Sequence, residues 1–348
     1  IRLLTEYEVV NAFGKQVYPG FVDAHTHIGM LMYGVGNIGN DTNEMNDIIS
    51  PQLRAIDAIN PMDKAFKLSA EAGVTSVATG PGSANILGGT FAAVKTVGDR
   101  IDNMIIKENI AMKCAFGENP KLAYESKAIS SRMATAAKLR EMLFRAKEYK
   151  LKKELAGDDI SKMPPFDMKL EVLIPVLNRE IPLKAHAHQA NDIFTAIRIA
   201  KEFNLKLTLE HVTEGHLIVN ELAKENIPLA IGPTFLQPVK TEMSNMSWET
   251  AGILSNAGCQ VSIISDSANM SPQWFLPIYA SLAVKAGMRE ADALKAITIN
   301  PAKHIGIEDR VGSIEIGKDA DIVIANGSPF ELNTKIEQVF INGIRVKN

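Results

Sequence analysis

The sequence predicts an α/β fold, namely a TIM-type (β/α)8 barrel with a small β-sandwich subdomain formed from the N- and C-terminal segments. Three observations support this prediction. Short apolar segments alternate with longer amphipathic segments along most of the 348 residues, as strands alternate with helices in such folds. Eight strand candidates can be counted, a number that favours a closed barrel. The first of them ends in histidines, whereas the open doubly wound alternative usually has a glycine-rich turn there.

The strand candidates are short apolar runs bounded by glycine, proline or polar residues. They span residues 20–24, 74–78, 91–96, 110–116, 183–187, 206–210, 228–231 and 260–265, with 91–96 the weakest. The helix candidates have apolar residues at helical spacing. They span residues 61–72, 131–154, 190–203, 214–226 and 248–256, and further helices run to about residue 304. Gly73 ends the first of these helices.

The two ends of the chain have a different pattern from the middle. Residues 311–324 and 336–346 consist of turns and short strands, and residues 8–19 have the same character. We therefore assign residues 20–305 to the barrel. Residues 1–19 and 306–348 are assigned to the composite small subdomain.

Composition excludes several classes of partner. Hydrophobic residues make up 46% of the chain and charged residues 22%, and the net charge is −3, as in ordinary globular proteins. No basic block suggests a nucleic-acid partner, and the longest apolar stretches are strand-sized, too short to span a membrane. Cys114 and Cys259 lie far apart in apolar segments, which favours buried thiols in a reducing cytoplasm.

Five of the seven histidines stand at the C-terminal ends of predicted strands. His25 and His27 end the first strand two residues apart, so both side chains lie on one face of it. In a (β/α)8 barrel these strand ends converge on one mouth, where catalytic groups lie. The other strand-end residues of this set are His186, His188, His211 and Asp266.

Imidazole and carboxylate groups that converge on an open site suit a divalent metal ion, and Zn²⁺ in particular. A bound zinc ion lowers the pKa of its water from about 15.7 to roughly 7 and polarises a carbonyl group. A nearby carboxylate can then carry the proton to a leaving nitrogen. The strand ends therefore predict metal-dependent hydrolysis of a small molecule.

Two motifs resemble those of the amidohydrolase superfamily. Residues 19–27 read PGFVDAHTH, similar to its opening motif, and residues 312–321 read GSIEIGKDAD, similar to its closing motif. Within the superfamily the chain is most similar to imidazolonepropionase-related members, and next to the Xaa-Pro dipeptidase-like group. The resemblance implies one or two divalent ions. Members usually have a longer N-terminal segment, so we expect the small subdomain to be short on that side.

The resemblance also implies roles for individual residues. His25 and His27 match the first-strand metal ligands, and Asp266 matches the aspartate that usually shuttles the proton. The ligands implied on the fifth and sixth strands are His186 and His211. On the fourth strand members use a carboxylated lysine, a glutamate or neither: Glu118 is favoured by its position, and Lys113 is the alternative. His188 and His216 are expected to line the substrate pocket.

The predicted activity is hydrolysis of an amide, cyclic amide or dipeptide-type C–N bond. A non-catalytic barrel kept for binding or assembly is the first alternative, although catalysis explains the whole histidine and aspartate set better. A deaminase of the same superfamily is the second alternative. It would favour a glutamate beside the fifth-strand histidine, and Ala187 and Gln189 do not supply one. The oligomeric state, including a homo-oligomer, stays open, and barrel-mouth loops set substrate identity.

Overall fold

Twelve strands form two sheets in the described part of the chain, which is residues 8–34, 36–267 and 271–347 of this computed structural model. The strands are β1 (Gln16–Pro19), β2 (Phe21–Thr26), β3 (Val74–Thr79), β4 (Leu87–Lys95), β5 (Ile105–Ala115), β6 (Leu183–Ala187), β7 (Leu207–His211), β8 (Leu229–Ile231), β9 (Val261–Ile263), β10 (Ile322–Ala325), β11 (Ile336–Ile341) and β12 (Ile344–Lys347). Strands β2 to β9 follow one another in chain order in an eight-stranded sheet, and β1-β10-β11-β12 form a four-stranded sheet.

Helices cover the outside of the larger sheet. They are α1 (Lys64–Glu71), α2 (Ile101–Met104), α3 (Glu118–Tyr124), α4 (Arg132–Ala156), α5 (Met168–Glu171), α6 (Ile174–Leu177), α7 (Ala190–Glu202), α8 (Val219–Glu225), α9 (Glu249–Asn256), α10 (Leu276–Lys285), α11 (Glu290–Ala296) and α12 (Ile299–His304). Local chemistry sets their ends: the Asp63 carboxylate caps α1 by accepting from the Ala65 N–H, and Gly73 follows α1 at φ +86°. None of the described helices has both the length and the apolar character of a membrane span.

The predicted barrel is confirmed, with one difference in strand direction. Strand β4 is antiparallel to both β3 and β5, and the remaining neighbours in the barrel sheet are parallel. The physical reason is the length of the connections. A parallel crossover needs roughly a dozen residues or more, usually a helix, and residues 80–86 between β3 and β4 are too few. The carboxyl ends of the other seven strands still share one mouth.

Strands β2 and β9 stand at the two ends of the strand order, and the backbone links them at the mouth. The N–H of Asp266 donates to the carbonyl of His25 at 3.1 Å. Polar side chains fill part of the interior: Lys184 of β6 reaches the carbonyl of Ala24 on β2 at 3.0 Å and Glu210 on β7 at 2.7 Å. The barrel interior is therefore charged and not purely apolar.

The smaller sheet combines both ends of the chain, as predicted. Strand β1 pairs antiparallel with β10, and β11 and β12 extend the sheet. Val339 and Ile341 pack with Ala70 of α1, so a barrel helix takes the place of a second sheet in the described residues. Residues 1–7 and 348 of the predicted subdomain lie outside the described residues.

The closing motif ties this sheet to the barrel. Lys95 at the end of β4 is buried, and its Nζ lies 2.7 Å from the Asp321 carboxylate and 3.0 Å from that of Asp319. Of the two cysteines, Cys114 is buried in β5, whereas Cys259 lies between α9 and β9 and is only partly buried. Neither forms a disulfide.

Candidate metal centre

Two groups of potential metal ligands lie at the mouth of the barrel. One consists of His25, His27 and Asp266, and the other of His186, His188 and His211. Within each group the ligand atoms all lie within 4.8 Å of one another. The ring centroids of His25 and His211 are 5.3 Å apart, so the two groups adjoin. We call them the first and the second cluster.

The first cluster joins the two ends of the barrel sheet. The Asp266 Oδ1 atom lies 3.3 Å from Nε2 of His27 and 3.6 Å from Nε2 of His25. The His27 Nδ1 atom donates to the carbonyl of Gly80 at 2.7 Å, and this bond leaves Nε2 free to face the carboxylate. Burial opposes the charge on Asp266, but the imidazoles of His211, His27 and His25 hold its pKa well below the usual range. Asp266 is therefore a carboxylate at neutral pH.

The second cluster has ring nitrogens without partners. His211 Nδ1 bonds to the carbonyl of Gly232 at 2.7 Å, so its Nε2 atom faces the cluster. That Nε2 atom and Nδ1 of His186 are buried and have no hydrogen-bond partner among the described residues. Burial lowers the pKa of His211 to about 4 and those of His186 and His188 well below the ordinary value. Neutral imidazoles with free nitrogens are the form that binds a metal, so the residues present fit a divalent ion.

Backbone strain places two of these side chains. His211 has φ +74° and Asp266 has φ +59°, a region that residues with a Cβ atom rarely adopt. His211 is the last residue of β7, and Asp266 lies three residues after the end of β9. The left-handed turn aims each side chain into the mouth. Strained backbone of this kind is concentrated at functional sites.

A buried charge network lies beneath the first cluster. Oε2 of Glu210 lies 2.8 Å from His25 Nδ1 and 2.7 Å from Lys184 Nζ, and Oε1 lies 2.8 Å from His304 Nε2. Burial opposes ionisation of Glu210, but Lys184 and His304 hold its pKa well below the usual range. The Glu210 carboxylate thus orients His25 so that Nε2 points to the mouth.

The two candidates for the fourth-strand ligand are placed differently. Lys113 is buried on β5, and its Nζ lies 3.0 Å from Nε2 of His25. Glu118 begins α3 and belongs to neither cluster; its backbone N–H donates to Glu242 at 2.9 Å. The structure therefore brings Lys113, and not the Glu118 side chain, to the first cluster.

His188 and His216, which were expected to line the substrate pocket, lie in different places. His188 belongs to the second cluster, where its Nδ1 bonds to the Thr213 hydroxyl at 2.6 Å and its ring stacks on His211. His216 belongs to neither cluster. It lies on the helical turn Gly215–Ile218, with Nδ1 2.9 Å from the Thr250 hydroxyl.

Sequence analysis missed several polar residues of the site. Lys184 and Glu210 could have been found, because each is a charged residue inside an apolar strand. Lys184 lies two positions before the strand-end His186, and Glu210 lies one position before the strand-end His211. Glu242 carried no such signal, since it lies in the segment between β8 and α9. Its carboxylate is wholly buried, 3.5 Å from His186 Nε2 and 3.7 Å from His188 Nε2. Burial opposes its charge, but His188 and Lys240 lower its pKa below the ordinary value.

Known proteins resemble the chain in sequence and in fold. Amidohydrolase tasK of Hapsidospora irregularis is 27% identical over 360 residues, covering 96% of this chain and 37% of that protein. An imidazolonepropionase of Thermoplasma volcanium is 31% identical over 174 residues, 48% of this chain and 41% of that protein. The matched part is thus less than half the length of each of these two relatives.

A solved structure matches nearly the whole chain. An amidohydrolase from Thermotoga maritima is 41% identical, with a TM-score of 0.96 over 99% of this chain and 91% of that chain. The family model described as "Amidohydrolase family" matches residues 16–346, which include both clusters and the closing motif. The chain therefore belongs to the amidohydrolase family.

Proposed function

We propose that the chain is a metal-dependent hydrolase that cleaves a C–N bond of a small molecule. The observation that supports this most directly is the pair of adjoining ligand clusters at one barrel mouth. Each offers three donors, and the buried donors of the second cluster have free nitrogens. An amide, a cyclic amide or a dipeptide-type bond is the proposed substrate class, and the imidazolonepropionase relatives favour a cyclic amide.

Each cluster would hold one divalent ion, and Zn²⁺ fits the donors. The first would be held by His25, His27 and Asp266, and the second by His186 and His211. When bound, such an ion supplies an activated water at neutral pH and polarises the carbonyl of the substrate. Lys113 is our candidate for the fourth-strand ligand, in preference to Glu118, because its nitrogen adjoins His25.

Asp266 is proposed as the general base and acid. It is ionised at neutral pH, and about a quarter of its side chain is exposed, so the carboxylate can meet substrate as well as the imidazoles. The carboxylate takes a proton from the attacking water and delivers it to the leaving nitrogen. His188, a member of the second cluster, is proposed to contact substrate or metal. His216 is proposed to act only through neighbouring groups.

A deaminase is the second candidate, because one observation favours it. The sequence lacks a glutamate next to His186, but the fold supplies Glu242 at 3.5 Å from the Nε2 atom of that histidine. A carboxylate in that place could serve a reaction that releases ammonia. The substrate test must therefore follow ammonia release as well as ring or amide opening.

The test combines metal analysis with a turnover screen. The purified chain is analysed by elemental mass spectrometry before and after reconstitution with Zn²⁺, and is then assayed with cyclic amides, dipeptides and aminated heterocycles. We expect one or two equivalents of metal and turnover that a chelator abolishes. Less than a tenth of an equivalent after reconstitution would refute the proposal. Turnover confined to aminated heterocycles would favour the deaminase.

A further inference from the structure

We propose that Glu242 is a direct ligand of the second ion, supplied by the loop between β8 and α9 and not by a barrel strand. The inference rests on the proposed function, since it requires that the second cluster binds metal. It completes the donor set of His186, His188 and His211 with one carboxylate oxygen.

Neighbouring groups fix the position of the Glu242 carboxylate. The residue lies on the helical turn Thr241–Met243, and its side chain is wholly buried. Oε2 accepts the N–H of Glu118 at 2.9 Å. Gly117 leaves room for this oxygen: a Cβ atom added there would lie 2.2 Å from Glu242 Oε2. Oε2 is thus bound to a backbone N–H group, which leaves Oε1 for other partners.

The second oxygen, Oε1, stands between two imidazoles. It lies 3.5 Å from Nε2 of His186 and 3.7 Å from Nε2 of His188. Ligand atoms lie about 2.0–2.2 Å from zinc, so two ligands of one tetrahedral ion are roughly 3.4 Å apart. The observed separations match that spacing for binding through Nε2 of both rings. In His188 this is the nitrogen that does not contact Thr213, and in His186 it is the nitrogen 3.4 Å from the Asn119 amide nitrogen.

Lys240 offers a rival explanation for this carboxylate. Its Nζ lies 2.6 Å from Glu242 Oε1 and 3.0 Å from Asn119 Oδ1, and its side chain is 17% exposed. On this explanation Glu242 only pairs with Lys240. The two explanations differ in the effect that removal of Lys240 should have on metal affinity. If Glu242 is a metal ligand that also pairs with the ammonium group, removal of that group should make metal bind more tightly.

The experiment measures metal binding and not turnover. The full chain is freed of metal and titrated with Co²⁺, with the affinity of each equivalent followed by calorimetry and by visible absorption. The variants are Glu242→Gln, which keeps the shape, and Lys240→Met. The matched control is Glu249→Gln, an exposed glutamate at the start of α9.

We expect two equivalents in the unsubstituted chain. Glu242→Gln should weaken the second by at least about tenfold and change its absorption, because loss of even an indirect partner of a ligand costs roughly 10–100-fold. Lys240→Met should tighten the same equivalent, and Glu249→Gln should alter neither. The proposal would be overturned if both site variants left the affinity and absorption of the second equivalent unchanged. It would also be overturned if the unsubstituted chain bound only one equivalent. No metal at all would instead refute the proposed function.

Discussion

The Nζ atom of Lys113 lies 3.0 Å from the Nε2 atom of His25, inside the barrel. This is the nitrogen of His25 that faces the mouth, since Nδ1 is bound to Glu210. Burial lowers the pKa of Lys113 to about 8, so this amine loses its proton more readily than an exposed lysine does. The contact makes Lys113 a nitrogen donor within reach of the first cluster.

Lys113→Met should therefore weaken metal binding by at least about tenfold, on the scale by which altered metal sites lose affinity. Glu118→Gln should change it far less, because the contact of Glu118 with Glu242 is made by its backbone N–H, which the substitution keeps. Both variants are titrated with Zn²⁺ at pH 8.5 beside the unsubstituted chain. Unchanged or tighter binding by Lys113→Met would show that the lysine acts only as a repelling cation.

The charge network under His25 predicts a large loss of stability when it is broken. Glu210→Met leaves the Lys184 ammonium buried without its carboxylate, and breaking a buried pair costs about 3–5 kcal/mol. Adding Lys184→Met removes the unpaired charge. The double variant should regain much of the lost stability, measured by chemical unfolding of the metal-free chain.

Metal affinity should not return with that stability. The double variant still lacks the acceptor that fixes His25 Nδ1, and such partners contribute roughly 10–100-fold to metal affinity. If the double variant bound metal normally, Glu210 would have no role in orienting His25. If it stayed as unstable as Glu210→Met, the stability argument would be wrong.

Gly117→Ala should act on the second ion through Glu242. Gly117 has φ +82°, and an added Cβ would lie 2.2 Å from the Glu242 carboxylate, which must move. Gly258→Ala is a matched control, because Gly258 has φ +88° and open space around it. Both variants should lose stability by about 1 kcal/mol or more from backbone strain. Only Gly117→Ala should also weaken binding of the second equivalent of metal. If both variants weakened that binding equally, the position described for Glu242 would be contradicted.

Most of the barrel could be predicted from the sequence because each strand is a short apolar run with clear ends. Strand β6 spans Leu183–Ala187, the predicted range. The direction of β4 could not be predicted, because periodicity does not distinguish parallel from antiparallel strands. Only the shortness of the connection before it carried that information.

The site could be predicted where its residues end strands. His25, His27, His186, His211 and Asp266 meet at the mouth because strand ends converge there. Glu242 could not be predicted, since a loop residue is positioned by tertiary contacts such as the Glu118 N–H. The prediction for Glu118 relied on chain position alone, and chain position does not distinguish a backbone contact from a side-chain contact.

The last prediction concerns Asp266. This residue follows β9 at φ +59°, which turns its carboxylate toward His27 and His25. Asp266→Asn keeps the shape and removes the base. Because positioned proton transfer contributes about 10²–10⁴-fold to rate, kcat should fall within that range, with the fold retained and metal content at least partly retained. The measurements are turnover of the substrate found by the screen and metal stoichiometry of the same preparation.

Three results separate the roles that Asp266 could have. A large loss of kcat with metal present supports the general base. Near-normal kcat with normal metal content would exclude it, and His188, whose ring stacks on His211, would be tested next. Loss of both metal and activity would make Asp266 chiefly a ligand of the first ion. In that case the stability of the metal-free variant decides whether the fold itself has been lost, because a residue that only binds metal leaves the unfolding midpoint of the metal-free chain unchanged.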